Sequence, residues 1–306
     1  MKLFITGASG WIGSAVVPEL LGAGHQVIGL ARSDASAAAL SAAGAEVQHG
    51  TIDDYNSLRV GAAASDGVIH LAFKHEEAFS GNFAAAGEAD LKAIEVLGEA
   101  LENTGHPLVI ASGLAGIAPG RVATENDVAD PQVAGPRAVS ARATLALADH
   151  GVRASVLRLA PTVHGEGDNG FMATLVGVAR KHGVSGYIGD GSNRWPAVHR
   201  ADAARLFRLA VEQAPAGSVL HGSAEEGVPI RSIAEVIGAQ LGLPVVSVAP
   251  ADAAEHFGWL GMFLGADIPA SSAFTQELLD WHPTHPSLLD DLGRGYYTAE
   301  RLTQRA

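Results

Sequence analysis

Short apolar runs alternate with stretches of helical period along the first half of the chain. "KLFIT" at residues 2–6 reads as a buried strand, and "GSAVVPELLGAG" as a helix that closes on glycine. The alternation continues through strand "HQVIGLA", the alanine-rich helix "DASAAALSAAG", and strands "AEVQHG" and "DGVIHLAF". A long helical stretch, "FAAAGEADLKAIEVLGEALENTG", then leads to a fifth strand, "PLVIASG". Strands that are apolar almost throughout, separated by helices, predict a parallel sheet covered on both faces. The fold class is α/β, with a doubly wound sheet.

From Leu114 to Pro136 the text turns to Gly, Pro and polar residues, as in a loop that borders an active site. A helix, "RAVSARATLALADHG", and a sixth strand, "RASVLRLAP", follow. Beyond Pro161 the pattern loosens into a glycine loop and a helix, "TVHGEGDNGFMATLVGVARKHG". "GSVLHGSA" predicts a return to the sheet as a seventh strand, and the last part of the chain mixes short helices with Pro-rich loops such as "WHPTHPSLLDDL". Residues 1–163 with about 196–224 are expected to form a nucleotide-binding domain. Residues from about 164 to 195, with 225–306, are expected to form a smaller C-terminal α/β substrate domain.

Charge narrows the partners. Acidic residues outnumber basic ones, 33 to 20, so nothing draws this surface toward nucleic acid or anionic lipid. Cysteine is absent, which excludes disulfides, thiolate metal sites and a cysteine nucleophile together. No apolar run reaches the roughly 18 residues of a membrane span, and Met1–Lys2 leads straight into a strand without a signal-peptide pattern. The expectation is a cytoplasmic protein with a small-molecule substrate, monomeric or homodimeric.

The candidate chemistry starts at "TGASGWIG", where Gly7, Gly10 and Gly13 lie between the first strand and the first helix. Glycines there permit a sharp turn, close approach to a pyrophosphate and tight helix–strand packing, while the helix N-terminus offers free N–H groups. Gly7, Ser9, Gly10, Trp11, Ile12 and Gly13 are the expected cofactor loop of a Rossmann-type dinucleotide site. After the second strand, where NAD-binding chains place a carboxylate, this chain has Arg32 and Ser33. An arginine pairs with a 2′-phosphate, so NADP(H) is favoured over NAD(H). Asp34 as a ribose partner is the alternative.

These segments resemble the extended and atypical short-chain dehydrogenases/reductases, an NAD(P)-dependent epimerase/dehydratase-like family. "TGASGWIG" has the TGxxGxxG form. "HGTIDDYNSL" is similar to the stretch bordering the adenine, here Thr51 and Ile52, and "VIHLAF" to the HxAA-type turn lining the cofactor, here His70, Leu71 and Ala72. "RLAPTVHGEG" resembles the sixth-strand segment R-x-x-x-V-Y-G, with His164 at the tyrosine. "DGSNRWPAVHRADAARLFRLAV", "VPIRSIAEVIGAQLGLP" and "LLDWHPTHPSLLDDL" resemble the later strand-and-helix element, the C-terminal helix and the closing L-G-W-x-P stretch. The resemblance covers nearly the whole chain.

It breaks at the catalytic pair. The family carries Tyr-x-x-x-Lys on one helix, where the lysine lowers the tyrosine pKa for proton transfer. In "GPRAVSARATLAL" the corresponding positions hold Arg137 and Ala141, and the four tyrosines lie elsewhere. The hydroxyl position after the fifth strand falls on Ser112 or, one residue on, Gly113. The catalytic candidates are therefore Ser112 to bond a carbonyl oxygen, Arg137 to stabilise an oxyanion, and His164 as a proton donor or a loop histidine bonded to backbone. Tyr187, Arg194, Trp195 and His199 stand where the resemblance implies substrate contact. No metal is expected: the prolines around His282 and His285 suggest a stiff turn. The leading reading is an NADP(H)-dependent oxidoreductase acting on a small carbonyl or imine compound by hydride transfer with a non-tyrosine donor. A redox sensor or scaffold that binds the cofactor without chemistry is the second reading, and nucleotide-sugar epimerisation or dehydration the third.

Overall fold

The computed structural model describes residues 1–298. Seven parallel strands make the central sheet: β1 (Lys2–Thr6), β2 (Gln26–Ala31), β3 (Glu46–His49), β4 (Gly67–His70), β5 (Pro107–Gly113), β6 (Arg153–Leu159) and a late strand, Ser218–Gly222. Their order, with the late strand outermost beside β6, is β6-β5-β4-β1-β2-β3. All seven strands expected from the apolar runs are present.

Alternation along each strand sends side chains to two faces. Leu3 and Ile5 join one buried cluster with Val16, Val17 and Leu20 of α1 (Gly13–Gly22), while Phe4 points into the opposite cluster. The second face is covered by α3 (Tyr55–Ala63), α5 (Phe83–Leu101) and α7 (Pro136–Ala146). Shorter helices fill the connections: α2 (Asp34–Ala42), α4 (His75–Phe79) and α6 (Pro131–Ala134). Ser33 caps α2 by accepting the Ser36 N–H, and Asp54 caps α3 by accepting that of Ser57.

The second half is built around a third cluster. It gathers α8 (Phe171–His182), α10 (Ile230–Leu241), α11 (Ala253–Phe257), α12 (Gly261–Leu264) and α14 (Leu288–Gly293) around Trp195 and Tyr297. Two small sheets tie it together. One orders β11 (Glu225–Pro229), β9 (Arg194–His199) and β7 (Thr162–His164); the other pairs β12 (Val245–Val248) with β8 (Ser185–Ile188), and β10 is the late strand of the main sheet. α9 (Arg200–Gln213) packs back on α1, and α13 (Ala273–Leu279) lies beside β10.

Several of these elements leave little trace in the sequence. β8, β11 and β12 are only four or five residues long, and Gly or Pro interrupts β8 and β11, so these strands depend on pairing. The loop between β5 and α7 is anchored by side chains: Glu125 accepts from the N–H and hydroxyl of Thr275, and Arg121 pairs with Asp127. Asp127 also accepts the Thr124 N–H, and the arginine and these bonds hold its pKa well below the usual carboxylate range.

Candidate functional site

The sheet order reverses between β1 and β4, so the loops leaving these two strands flank a crevice at the switch point. The glycine loop lines it. Gly7 has a φ of 68°, and a Cβ there would sit 2.7 Å from the Ala72 nitrogen. A Cβ on Gly13 would come within 2.2 Å of the Gly7 carbonyl oxygen. Only glycine closes this turn. α1 then starts without a side-chain cap, and the N–H groups of Trp11 and Ile12 have no acceptor among the described residues. Unfilled donors at a helix start, beside a backbone that leaves no room for side chains, fit a dinucleotide pyrophosphate. Ser9 and Gly10 are exposed at the loop tip.

The Trp11 side chain turns the other way. Its Nε1–H donates to the Val163 carbonyl at 2.8 Å, and the Arg200 guanidinium lies 4.2 Å over its ring. His70 also faces inward. It is fully buried, with Nδ1 2.7 Å from the Thr6 hydroxyl and Nε2 3.3 Å from Asp90. Its ring fixes the ends of β1 and β4, and the backbone of Leu71 and Ala72 meets the glycine loop instead. Burial pushes the Asp90 carboxyl up, but the His70 bond, the Arg137 charge and Ser140 together hold it down.

At the adenosine end, the Arg32 side chain is 74% exposed and faces Glu76 at only 3.9 Å. Its charge is free to be recruited by an anion. Ser33 spends its hydroxyl on capping α2, and Asp34 is the first residue of that helix. Thr51 is exposed and accepts the Asp53 N–H, while Ile52 is buried against the second core cluster. Lys74 pairs with Asp53 at 3.0 Å, tying the start of α4 to this corner.

The other end of the crevice is made of side chains. Ser112 lies near the end of β5, 8% exposed. Arg137, in the first turn of α7, donates through Nη2 to the Ala111 carbonyl, and its guanidinium lies 4.5 Å over the Phe73 ring. Its buried Nε–H has no acceptor among the described residues. Burial lowers the arginine's pKa, and Asp90 partly opposes that. His75 stands beside it on an exposed segment, 5.1 Å from Phe73 by ring centroids. Desolvation by the surrounding rings, then the Arg137 charge, lower its pKa. In the sequence His75 lies within the charged run "KHEE" and carries no signal of its own; only packing against Phe73 and Arg137 distinguishes it.

His164 follows Val163, whose carbonyl accepts from the Trp11 indole. It is 1% exposed in β7, with Nδ1 2.8 Å from Asp291 of α14 and Nε2 without a partner among the described residues. His199 lies 5.4 Å from it edge-on, caps α9 by accepting the Ala201 N–H, and stacks 4.6 Å from His285. Burial, followed by the neighbouring histidines, lowers the His199 pKa to about 4. One ligand atom each of His199, Asp202 and His285 falls within 4.8 Å of the others. Asp202 is nevertheless already engaged: it accepts the N–H groups of Thr284 and His285 and pairs with His285 Nδ1, which clamps the Pro-rich turn.

The residues expected to touch substrate in the second half are also occupied. Trp195 is 1% exposed in the third core cluster, with its indole N–H on the Ala266 carbonyl, so its faces serve packing. Arg194 is held by both oxygens of Asp267, at 3.1 and 3.0 Å. Tyr187 sits on β8 with the Arg231 guanidinium 5.6 Å over its ring.

Comparison with known proteins agrees with the crevice geometry. Residues 3–221 match the model of the NAD dependent epimerase/dehydratase family. The uncharacterized protein C2A9.02 of Schizosaccharomyces pombe is 48% identical over 299 residues, covering 97% of this chain and 100% of the relative. A 4-hydroxy-2-methyl-3-oxo-4-farnesyl-3,4-dihydroquinoline-1-oxide ketoreductase of Stigmatella aurantiaca is 27% identical, covering 88% of this chain and 84% of its own. Among solved structures, the dTDP-glucose 4,6-dehydratase DesIV of Streptomyces venezuelae, crystallised with NAD, superposes with a TM-score of 0.79. It is 21% identical, over 98% of both chains. The chain belongs to the NAD dependent epimerase/dehydratase family. It is an NAD(P)-dependent enzyme with the doubly wound Rossmann-type fold that its strand pattern predicts.

Proposed function

We propose that the protein is an NADP(H)-dependent reductase of small carbonyl or imine compounds that works without a tyrosine donor. The observation that carries this reading is Arg137. A half-buried guanidinium, with one N–H on the carbonyl of Ala111, next to Ser112 in β5, and its buried Nε–H unspent, stands at this end of the crevice. A cation and a hydroxyl fixed in a desolvated cleft stabilise negative charge as it develops on a substrate oxygen.

Gly7, Gly10, Gly13 and the N–H groups of Trp11 and Ile12 would hold the pyrophosphate, and Arg32 a 2′-phosphate. Bound there, the reduced cofactor supplies a hydride to the carbonyl or imine carbon. As that bond forms, the π pair moves onto the substrate oxygen or nitrogen, and the Arg137 guanidinium and Ser112 hydroxyl hold it. His75 then delivers a proton to that atom and recovers one from solvent. His75 is preferred to His164 because its ring reaches solvent beside Arg137, whereas His164 is sealed against Asp291.

The test is NADPH oxidation by the purified protein over aldehydes, ketones and cyclic imines, with cofactor binding followed by fluorescence in the same samples. Turnover with any of these classes, slowed in Arg137→Met, supports the reading. Tight binding with no turnover across the panel favours the sensor. Turnover of a nucleotide sugar without net consumption of NADPH favours the epimerase or dehydratase reading.

A further inference from the structure

A row of aromatic rings runs from the reacting end of the crevice to the second half of the chain. It starts at Phe73, under the Arg137 guanidinium. His75 follows at 5.1 Å and Phe79 at a further 5.8 Å, both on α4. Phe79 then stacks on Trp259 with centroids 4.5 Å apart and planes 24° from parallel. Phe171, the first residue of α8, closes the group at 5.5 Å from Trp259 and 6.5 Å from Phe79.

The Phe79–Trp259 pair joins a short helix after β4 to a 3₁₀ turn at Gly258–Leu260, two elements far apart in sequence. Phe79 is 39% exposed although Lys74, Glu76, Glu77 and Ser80 around it are polar. A large apolar ring on such a segment gains its stabilisation from the ring facing it, and a flat apolar group can take the same place.

We propose that the substrate of this reductase is a planar, conjugated or aromatic carbonyl compound whose apolar body lies against Phe79 and Trp259 while its carbonyl oxygen reaches Arg137 and Ser112. The proposal rests on the hydride-transfer reading above for the reaction, but the aromatic seat is a separate claim about binding.

Two measurements separate the claims. In the first, cinnamamide, a planar analogue that resists reduction, is titrated into the NADP+-loaded protein and into the cofactor-free protein, with tryptophan emission as the readout. The variants are Phe79→Ala, Trp259→Ala and Trp259→Phe. Binding that weakens about tenfold in the two alanine variants, while Trp259→Phe retains it by calorimetry, supports the seat. Failure of cinnamamide to bind the wild type, or equal binding to all variants, overturns it whether or not any turnover is found. In the second, the ratio of kcat/KM for cinnamaldehyde over propanal is compared between wild type and Phe79→Ala. A fall of about tenfold in that ratio supports the proposal, and an unchanged ratio overturns it while leaving the reductase reading intact.

Discussion

The two ends of the crevice are built on different principles. The glycine-loop end is backbone: Gly7 and Gly13 leave no room for a Cβ, and the free donors are the N–H groups of Trp11 and Ile12. The opposite end is side chains drawn from separate elements, with Ser112 from β5, Arg137 from α7, and Phe73 and His75 from the exit of β4. A backbone site tolerates almost no change, because any added atom meets main chain. A side-chain site is replaceable part by part.

The contrast is tested most severely at the loop. Gly13→Val places side-chain atoms where the Gly7 carbonyl and Ala8 already stand, and NADPH affinity is expected to fall by at least about 100-fold. A fluorescence titration measures it, with circular dichroism to show that the sheet persists. Unchanged affinity would mean that the loop does not hold the cofactor.

Arg137→Met is expected to act at the opposite end alone. Its kcat should fall by about 100-fold, the cost of removing one fixed donor to an oxyanion, while the cofactor Kd stays within about twofold of wild type. The Ala111 carbonyl loses its donor and Asp90 a compensating charge, so stability should drop by about 1–3 kcal/mol in a urea titration. An equal loss of cofactor affinity would erase the distinction between the two ends.

A smaller effect separates the cofactors. Arg32→Ala should weaken NADPH binding by about tenfold relative to NADH, as expected for loss of one charge-assisted contact. A proportional loss for both would assign the corner to Asp34 instead.

The smallest expected effect lies outside the crevice, at His199. Its pKa in the fold is lowered to about 4 from 6.5, so the unfolded chain binds the proton more tightly. The stabilisation from keeping this ring neutral is complete above about pH 6.5 and is lost as pH falls toward 4. Solvent screening limits it to about 1–2 kcal/mol. His199→Asn keeps an acceptor for the Ala201 N–H, and thermal melts of this variant should be less steeply dependent on pH over that window. Equal slopes would place the acid sensitivity outside His199.

The sequence by itself determined the sheet and the glycine turn after β1. β1, β2, β4 and β5 are mostly apolar runs, and glycine spacing is written directly into the chain because backbone geometry depends on the local residue alone. Tertiary structure decided the rest. Trp195, Arg194 and His164 are residue types suited to substrate work, yet each is committed to a partner more than 70 residues away: Ala266, Asp267 and Asp291. Conversely, His75 and Phe79 lie in a stretch of ordinary surface composition and become notable only because the fold lays them between Arg137 and Trp259. Whether a side chain is free to act depends on what folds against it, and local sequence does not contain that information.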